Sequence, residues 1–274
     1  MEAITHTHHT CKSQAITADW RKRIRLCGLS LGAALGSAFF FSSPALAQDM
    51  PQKKAVIELY TSMGCKSCLA ADAILAGLAD QPDVLALSFH VSYWDYLGWR
   101  DTLAIPDSTD RQNDYKKAFA TGAIYTPQAI VNGTEQFNGS DQKKYDAAMT
   151  AATLRVPVTV RETEKGRLTV DIGAGSKPSS PTFIKLFYFS KEAPVTIASG
   201  DNAGQKITYR NVVHDIVTVG MWDGKPITFD MPASEATRKN ASGFAVLLQQ
   251  VRDDRALGPI LGANLYNLPV PASK

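Results

Sequence analysis

Cys65 and Cys68 stand two residues apart in Gly64-Cys65-Lys66-Ser67-Cys68. The run Val56-Ile57-Glu58-Leu59-Tyr60 before them is apolar and strand-like, and residues 69–79 after them are rich in strong helix formers. A thiol pair at a strand-to-helix junction suits thiol–disulfide exchange. The attacking species is a thiolate, and a cysteine at a helix N-terminus or beside a cation reaches it more easily than a free one. The pattern predicts Cys65 at the N-cap, where the helix dipole supplies about half a positive charge, with Lys66 as an adjacent cation. Cys65 is then the nucleophile, and Cys68, inside the helix, the buried thiol that resolves the mixed disulfide.

Three other uses of the pair fit the residues. A structural disulfide closing so short a loop stabilises little. Half of a zinc site lacks ligands, since His90 and His214 are the only histidines beyond residue 47. A copper site could combine both sulfurs with His90, because thiolates suit Cu(I).

The elements that must position this pair begin after a leader. Arg21, Lys22, Arg23 and Arg25 form a basic cluster, residues 26–41 carry no charge, and Ala45-Leu46-Ala47 ends the run with small residues. That order predicts a signal peptide over residues 1–47 and a periplasmic or secreted protein. The apolar run is shorter than the roughly 20 residues that cross a bilayer. Cleavage leaves Cys65 and Cys68 as the only cysteines. The whole chain has 29 basic and 26 acidic side chains; residues 1–47 hold five and two of these, so residues 48–274 carry 24 of each. This balance offers no basic surface for nucleic acid, and no later stretch is apolar enough to span a membrane.

From residue 53 onward strands and helices alternate. Residues 53–60 and 84–91 read as buried parallel strands around the helix at 69–79. Asp107-Ser108-Thr109-Asp110 offers caps for a helix to about Ala120. Gln128-Ala129-Ile130-Val131 reads as a strand, Asn132-Gly133 as a hairpin turn, Glu135-Gln136-Phe137 as its return, and Ser140-Asp141 as the cap of a last helix. Tyr93, Trp94, Tyr96 and Trp99 follow the second strand and leave the sheet at the CxxC end, where ligands of open α/β sheets bind. Tyr93, Trp94 and Trp99 are therefore substrate-wall candidates, unless they simply fill the core.

After Arg155 short β-branched runs replace the helices, separated by Gly, Pro and Ser. These predict a β-sandwich over residues 154–274, following an α/β domain over 48–153.

The order β-(CxxC)-α-β-α-(Thr-Pro)-β-β-α resembles the thioredoxin fold. Glu58-Leu59-Tyr60-Thr61-Ser62-Met63-Gly64-Cys65-Lys66-Ser67-Cys68, the segment Phe89 through Trp99, and Tyr125-Thr126-Pro127-Gln128 with Val131-Asn132-Gly133 together resemble a secreted thioredoxin-like family, domain of unknown function 1223 (DUF1223). The resemblance covers about residue 53 to the C-terminus and implies a fold without an assigned reaction. It implies that Thr126-Pro127 is a cis pair facing the CxxC motif, presenting the Thr126 backbone to an extended peptide. It also implies that Glu58 moves protons for the dithiol, although an exposed strand edge is the other reading of that residue.

The expectation is an α/β thioredoxin-like domain followed by an all-β sandwich domain. Its function is thiol–disulfide oxidoreduction on protein cysteines, with a separate redox partner and no cofactor. The alternative is a binding protein whose Cys65, Cys68 and His90 hold copper, or whose CxxC is a structural bridge.

Overall fold

The computed structural model describes residues 51–163 and 166–269. The expected signal peptide at 1–47 lies outside the described residues. The described part belongs to one compact unit.

Strand β1 (Ala55–Thr61) and strand β2 (Val84–His90) are buried along their whole length and run parallel, joined by helix α1 (Cys68–Ala79). Their near-continuous apolar sequences suit strands covered on both faces. Helix α2 (Pro106–Phe119) follows, with Pro106 in its first turn, where a missing N–H costs nothing. The expected caps 107–110 thus lie inside this helix. Strands β3 (Gln128–Val131) and β4 (Glu135–Asn138) form the expected hairpin, with both Asn132 and Gly133 at positive φ. Helix α3 (Gln142–Ala151) is capped by Asp141, whose side chain accepts from the Lys144 N–H.

Strands β5 (Val158–Thr163), β6 (Arg167–Ile172) and β9 (Ile227–Pro232) form a three-stranded antiparallel sheet. Strands β7 (Thr182–Thr196), β8 (Lys206–Met221), β10 (Gly243–Val251) and β11 (Leu257–Asn267) do not close on themselves. They extend the first sheet, which runs β11-β10-β7-β8-β2-β1-β3-β4. The fold is therefore mixed α/β, with a large eight-stranded mixed sheet and a second, smaller one. The junction is the parallel meeting of Ser88 in β2 with Val212 in β8, reinforced by Asn211 Nδ2 donating to the Ala86 carbonyl at 2.8 Å. Without β8, the fully buried β2 would present an unpaired edge.

Alternation along the strands assigns side chains to layers. Ile57, Leu59, Val84 and Ala86 pack under α1 and α3. Val56, Tyr60, Leu85, Leu87 and Phe89 face the opposite way, against Tyr115 of α2 and Phe187 and Phe189 of β7. Further along the sheet, Ile184, Leu186, Phe244 and Val246 pack against Val158, Val170 and Ile172 of the smaller sheet. No helix among the described residues is long and apolar enough to cross a membrane.

Candidate active site around Cys65 and Cys68

The chain leaves β1 at Thr61 and turns twice before α1. Cys65 N–H donates to the Ser62 carbonyl, and Cys68 N–H to the Cys65 carbonyl, each at 3.1 Å. These turns bring the sulfurs together as a Cys65–Cys68 disulfide. Cys65 is not the N-cap: that position belongs to Ser67, and Cys68 is the first helical residue. The second turn delays the helix by two residues relative to the N-cap at Cys65 that the sequence pattern predicts. Cys65 is 2% exposed and Cys68 fully buried, while Lys66 and Ser67 face solvent. Cys65 remains the sulfur outside the helix, with the Ser67 hydroxyl at 3.4 Å.

Parts distant in sequence hold this loop. Asn202, in the turn between β7 and β8, donates through Nδ2 to the carbonyls of Met63 at 2.8 Å and Cys65 at 3.2 Å. Asp101 Oδ2 accepts from Met63 N–H and bonds His90 Nδ1, both at 2.8 Å. Neither Asp101 nor Asn202 belongs to a local motif, so sequence reasoning gave no signal for them.

The aromatic segment divides. Trp94 lies over Gly64, where an added Cβ would meet Trp94 Cβ at 3.2 Å. Its indole N–H donates to Thr126 Oγ1 at 2.7 Å. The Thr126–Pro127 bond is cis, and Pro127 lies with Ala71 of α1 around Gly139. The next residue, Ser140, donates to the Ser67 carbonyl at 3.2 Å. Trp94, Thr126 and Pro127 therefore gather around the start of α1. Tyr93 and Trp99 are half-buried and lean on hydrophobic clusters. Tyr93 donates to Gln112 Oε1 at 3.2 Å, and burial pushes its hydroxyl up to about 12. Trp99 donates to Met63 Sδ at 3.3 Å. The free aromatic face belongs to Tyr96, which is 78% exposed and stacks on Trp94 with 6.4 Å between ring centres.

Glu58 does not serve the dithiol. It shares the face of Val56 and Tyr60, opposite α1, because a one-residue change of register inverts a strand side chain. Arg111 of α2 donates to it from Nε at 2.5 Å and Nη2 at 2.8 Å, and the Tyr115 hydroxyl donates at 2.5 Å. Arg111 also lies against the rings of Phe89, Tyr115 and Phe187. Burial opposes the guanidinium charge, but the Glu58 carboxylate raises its pKa overall.

The carboxylate on the dithiol side of the sheet is Asp72, one turn beyond Cys68 in α1. It is 9% exposed, and no cation among the described residues pairs with it. Burial pushes it up to about 7; the charge of His90 and the Thr61 hydroxyl oppose the rise, and Asp101 adds to it. Its sequence signal was a single charge among the apolar residues of 69–79, four positions after a cysteine. His90 turns its bonded nitrogen to Asp101, and its Nε2 is unpartnered. Among the described residues, no group of three or more His, Cys, Asp or Glu side chains gathers to hold a metal ion, so Cys65, Cys68 and His90 are not assembled as a copper site.

A family model described as "Protein of unknown function (DUF1223)" matches residues 56–249. The crystal structure of a protein from Agrobacterium tumefaciens is similar, at 36% identity over 82% of this chain and 98% of that one, with a TM-score of 0.71. A solved endonuclease/exonuclease/phosphatase from Beutenbergia cavernae matches at 14% identity over 40% of this chain and 23% of that one. Its TM-score of 0.20 carries no argument. None of the curated proteins matches.

Proposed function

We propose that this chain, which belongs to the DUF1223 family of proteins of unknown function, is an exported thiol–disulfide oxidoreductase acting on protein cysteines. The observation that carries the reading is the Cys65–Cys68 disulfide at the start of α1, bordered by Trp94 and by the cis Thr126–Pro127 loop. A purely structural bridge needs no such surroundings, and one closing so short a loop contributes little to stability.

The finer architecture belongs to the same proposal. The order β1-α1-β2-α2-β3-β4-α3 supports a thioredoxin-like unit within 48–153. The packing of the three-stranded sheet on the β7–β10–β11 part of the large sheet supports a sandwich-like arrangement of 154–274. The basic, apolar and small-residue order of 1–47 supports export to the periplasm or beyond.

In the oxidising direction for a substrate, a substrate thiolate attacks Cys65 Sγ. The Cys65–Cys68 bond breaks, Cys68 leaves as a thiolate, and a substrate–Cys65 bond forms. A second substrate thiolate then attacks its own sulfur in that mixed disulfide and releases Cys65. The substrate loses two electrons and the Cys65–Cys68 pair gains them. Run backward, the same steps reduce a substrate disulfide.

The test is exchange between the reduced protein and a disulfide-bonded peptide at pH 7, followed by mass spectrometry. We expect exchange faster than with free cysteine, and its loss in Cys65→Ser. A rate equal to that of free cysteine, unchanged in Cys65→Ser, overturns the proposal.

A further inference from the structure

We infer that Asp72 holds the proton exchanged with Cys68 as the Cys65–Cys68 bond opens and closes; this rests on the thiol–disulfide reading above. Both residues are on the buried face of α1, four positions apart, a spacing that places side chains one above the other on a helix. The loop sulfur Cys65 lies outside the helix, so Asp72 serves the resolving thiol.

The surroundings of Asp72 hold several buried polar groups. Thr61 of β1, His90 of β2, Asp101 from the segment after β2, Tyr145 of α3 and Tyr209 of β8 all act on it or feel its charge. Around the Thr61–Asp72 pair, His90 Nε2, Tyr145 Oη and Tyr209 Oη are buried without hydrogen-bond partners. Protein interiors rarely leave such groups unpaired, and a redox role is one reason to do so. No lysine or arginine is among the charged groups acting on Asp72, so nothing fixes it permanently as an anion. With the carboxyl pushed up to about 7, both of its forms are populated at neutral pH.

The step balances. In closing, the Cys68 thiol gives its proton to the Asp72 carboxylate. Its sulfur attacks Cys65 Sγ of the mixed disulfide, the Cys65–Cys68 bond forms, and the substrate leaves as a thiolate carrying the electron pair of the broken bond. In opening, neutral Asp72 returns the proton to the Cys68 thiolate.

The test follows the resolving step by rapid mixing from pH 5 to 9, in the wild type and in Asp72→Asn, using the same peptide disulfide. We expect an inflection near pH 7 in the wild type, because below it Asp72 is already protonated and cannot accept. Asp72→Asn should lose the inflection and slow resolution at pH 7 by roughly tenfold or more, and Asp72→Glu should restore part of both. Wild-type exchange with an unaltered profile in Asp72→Asn overturns the inference alone. No exchange in the wild type overturns the thiol–disulfide reading and this role with it. If the variants do not fold, infrared difference spectra of the wild type decide. A buried carboxylic acid band that changes on reduction at neutral pH supports the inference, and its absence overturns it.

Discussion

Arg111→Met is expected to destabilise the protein by about 3–5 kcal/mol, the usual cost of leaving one member of a buried ion pair alone. Glu58 would lose both guanidinium bonds while remaining fully buried in β1. The loss would also spread beyond the pair. Arg111 Nη2 donates to Gln249 Oε1 of β10 at 2.8 Å, and Gln249 Nε2 in turn donates to the Tyr115 hydroxyl at 2.8 Å. One side chain of α2 thus joins strands on either side of residue 153. Urea unfolding followed by circular dichroism measures the loss as a fall in midpoint. Glu58→Gln combined with Arg111→Met should recover much of it, because the second change removes the stranded charge. A single Arg111→Met within 1 kcal/mol of wild type, on the order of a surface substitution, would contradict this account of Glu58.

Cys68→Ala is expected to abolish turnover and to accumulate mixed disulfides through Cys65. Without the second sulfur, an adduct on Cys65 has no intramolecular thiol to displace it. Cys68 is the fully buried sulfur at the first position of α1 and Cys65 the one in the preceding loop, so the adducts should depend on Cys65. Non-reducing gels of the variant, produced in its own compartment, should show thiol-sensitive adducts, and peptide mapping should place them on Cys65. Adducts that accumulate on Cys68 in Cys65→Ala, and not in Cys68→Ala, would reverse the roles.

Much of the first half was legible because its signals are local. The runs that became β1 and β2 are continuous and apolar, Asn132-Gly133 supplies the two positive-φ residues of a tight turn, and Asp141 caps α3 as its residue type suggests. The CxxC lies at the strand-to-helix junction its flanks predict, but α1 starts at Cys68 rather than directly after Cys65, since the turns that end at Ser67 leave no periodic trace. For Glu58, strand parity overrides what the resemblance implies: it is one residue from Leu59, which does face α1. The second half was harder. Ile207-Thr208-Tyr209 and Val212-Val213 look like two short runs but belong to one strand, β8, irregular near His214 where the pairing shifts from Asp215 to Val213. Strand β11 is masked in the sequence, because Gly258, Pro259 and Gly262 look like breakers and only the pairing with β10 overrides them. That four strands of this half would extend the first sheet depends on the β2–β8 contact, between residues more than a hundred positions apart. Asn202 reaches Cys65 over a separation of 137 residues, a contact that no local spacing encodes.

The central claim is that Cys65–Cys68 is a reversible redox couple. Equilibrating the protein in graded thiol–disulfide buffers at pH 7, then alkylating and weighing it, measures the couple directly. The account predicts one two-electron transition between about −270 and −120 mV, the span of thioredoxin-like exchangers. A pair still bonded in buffers poised below about −300 mV, where structural disulfides lie, would contradict it.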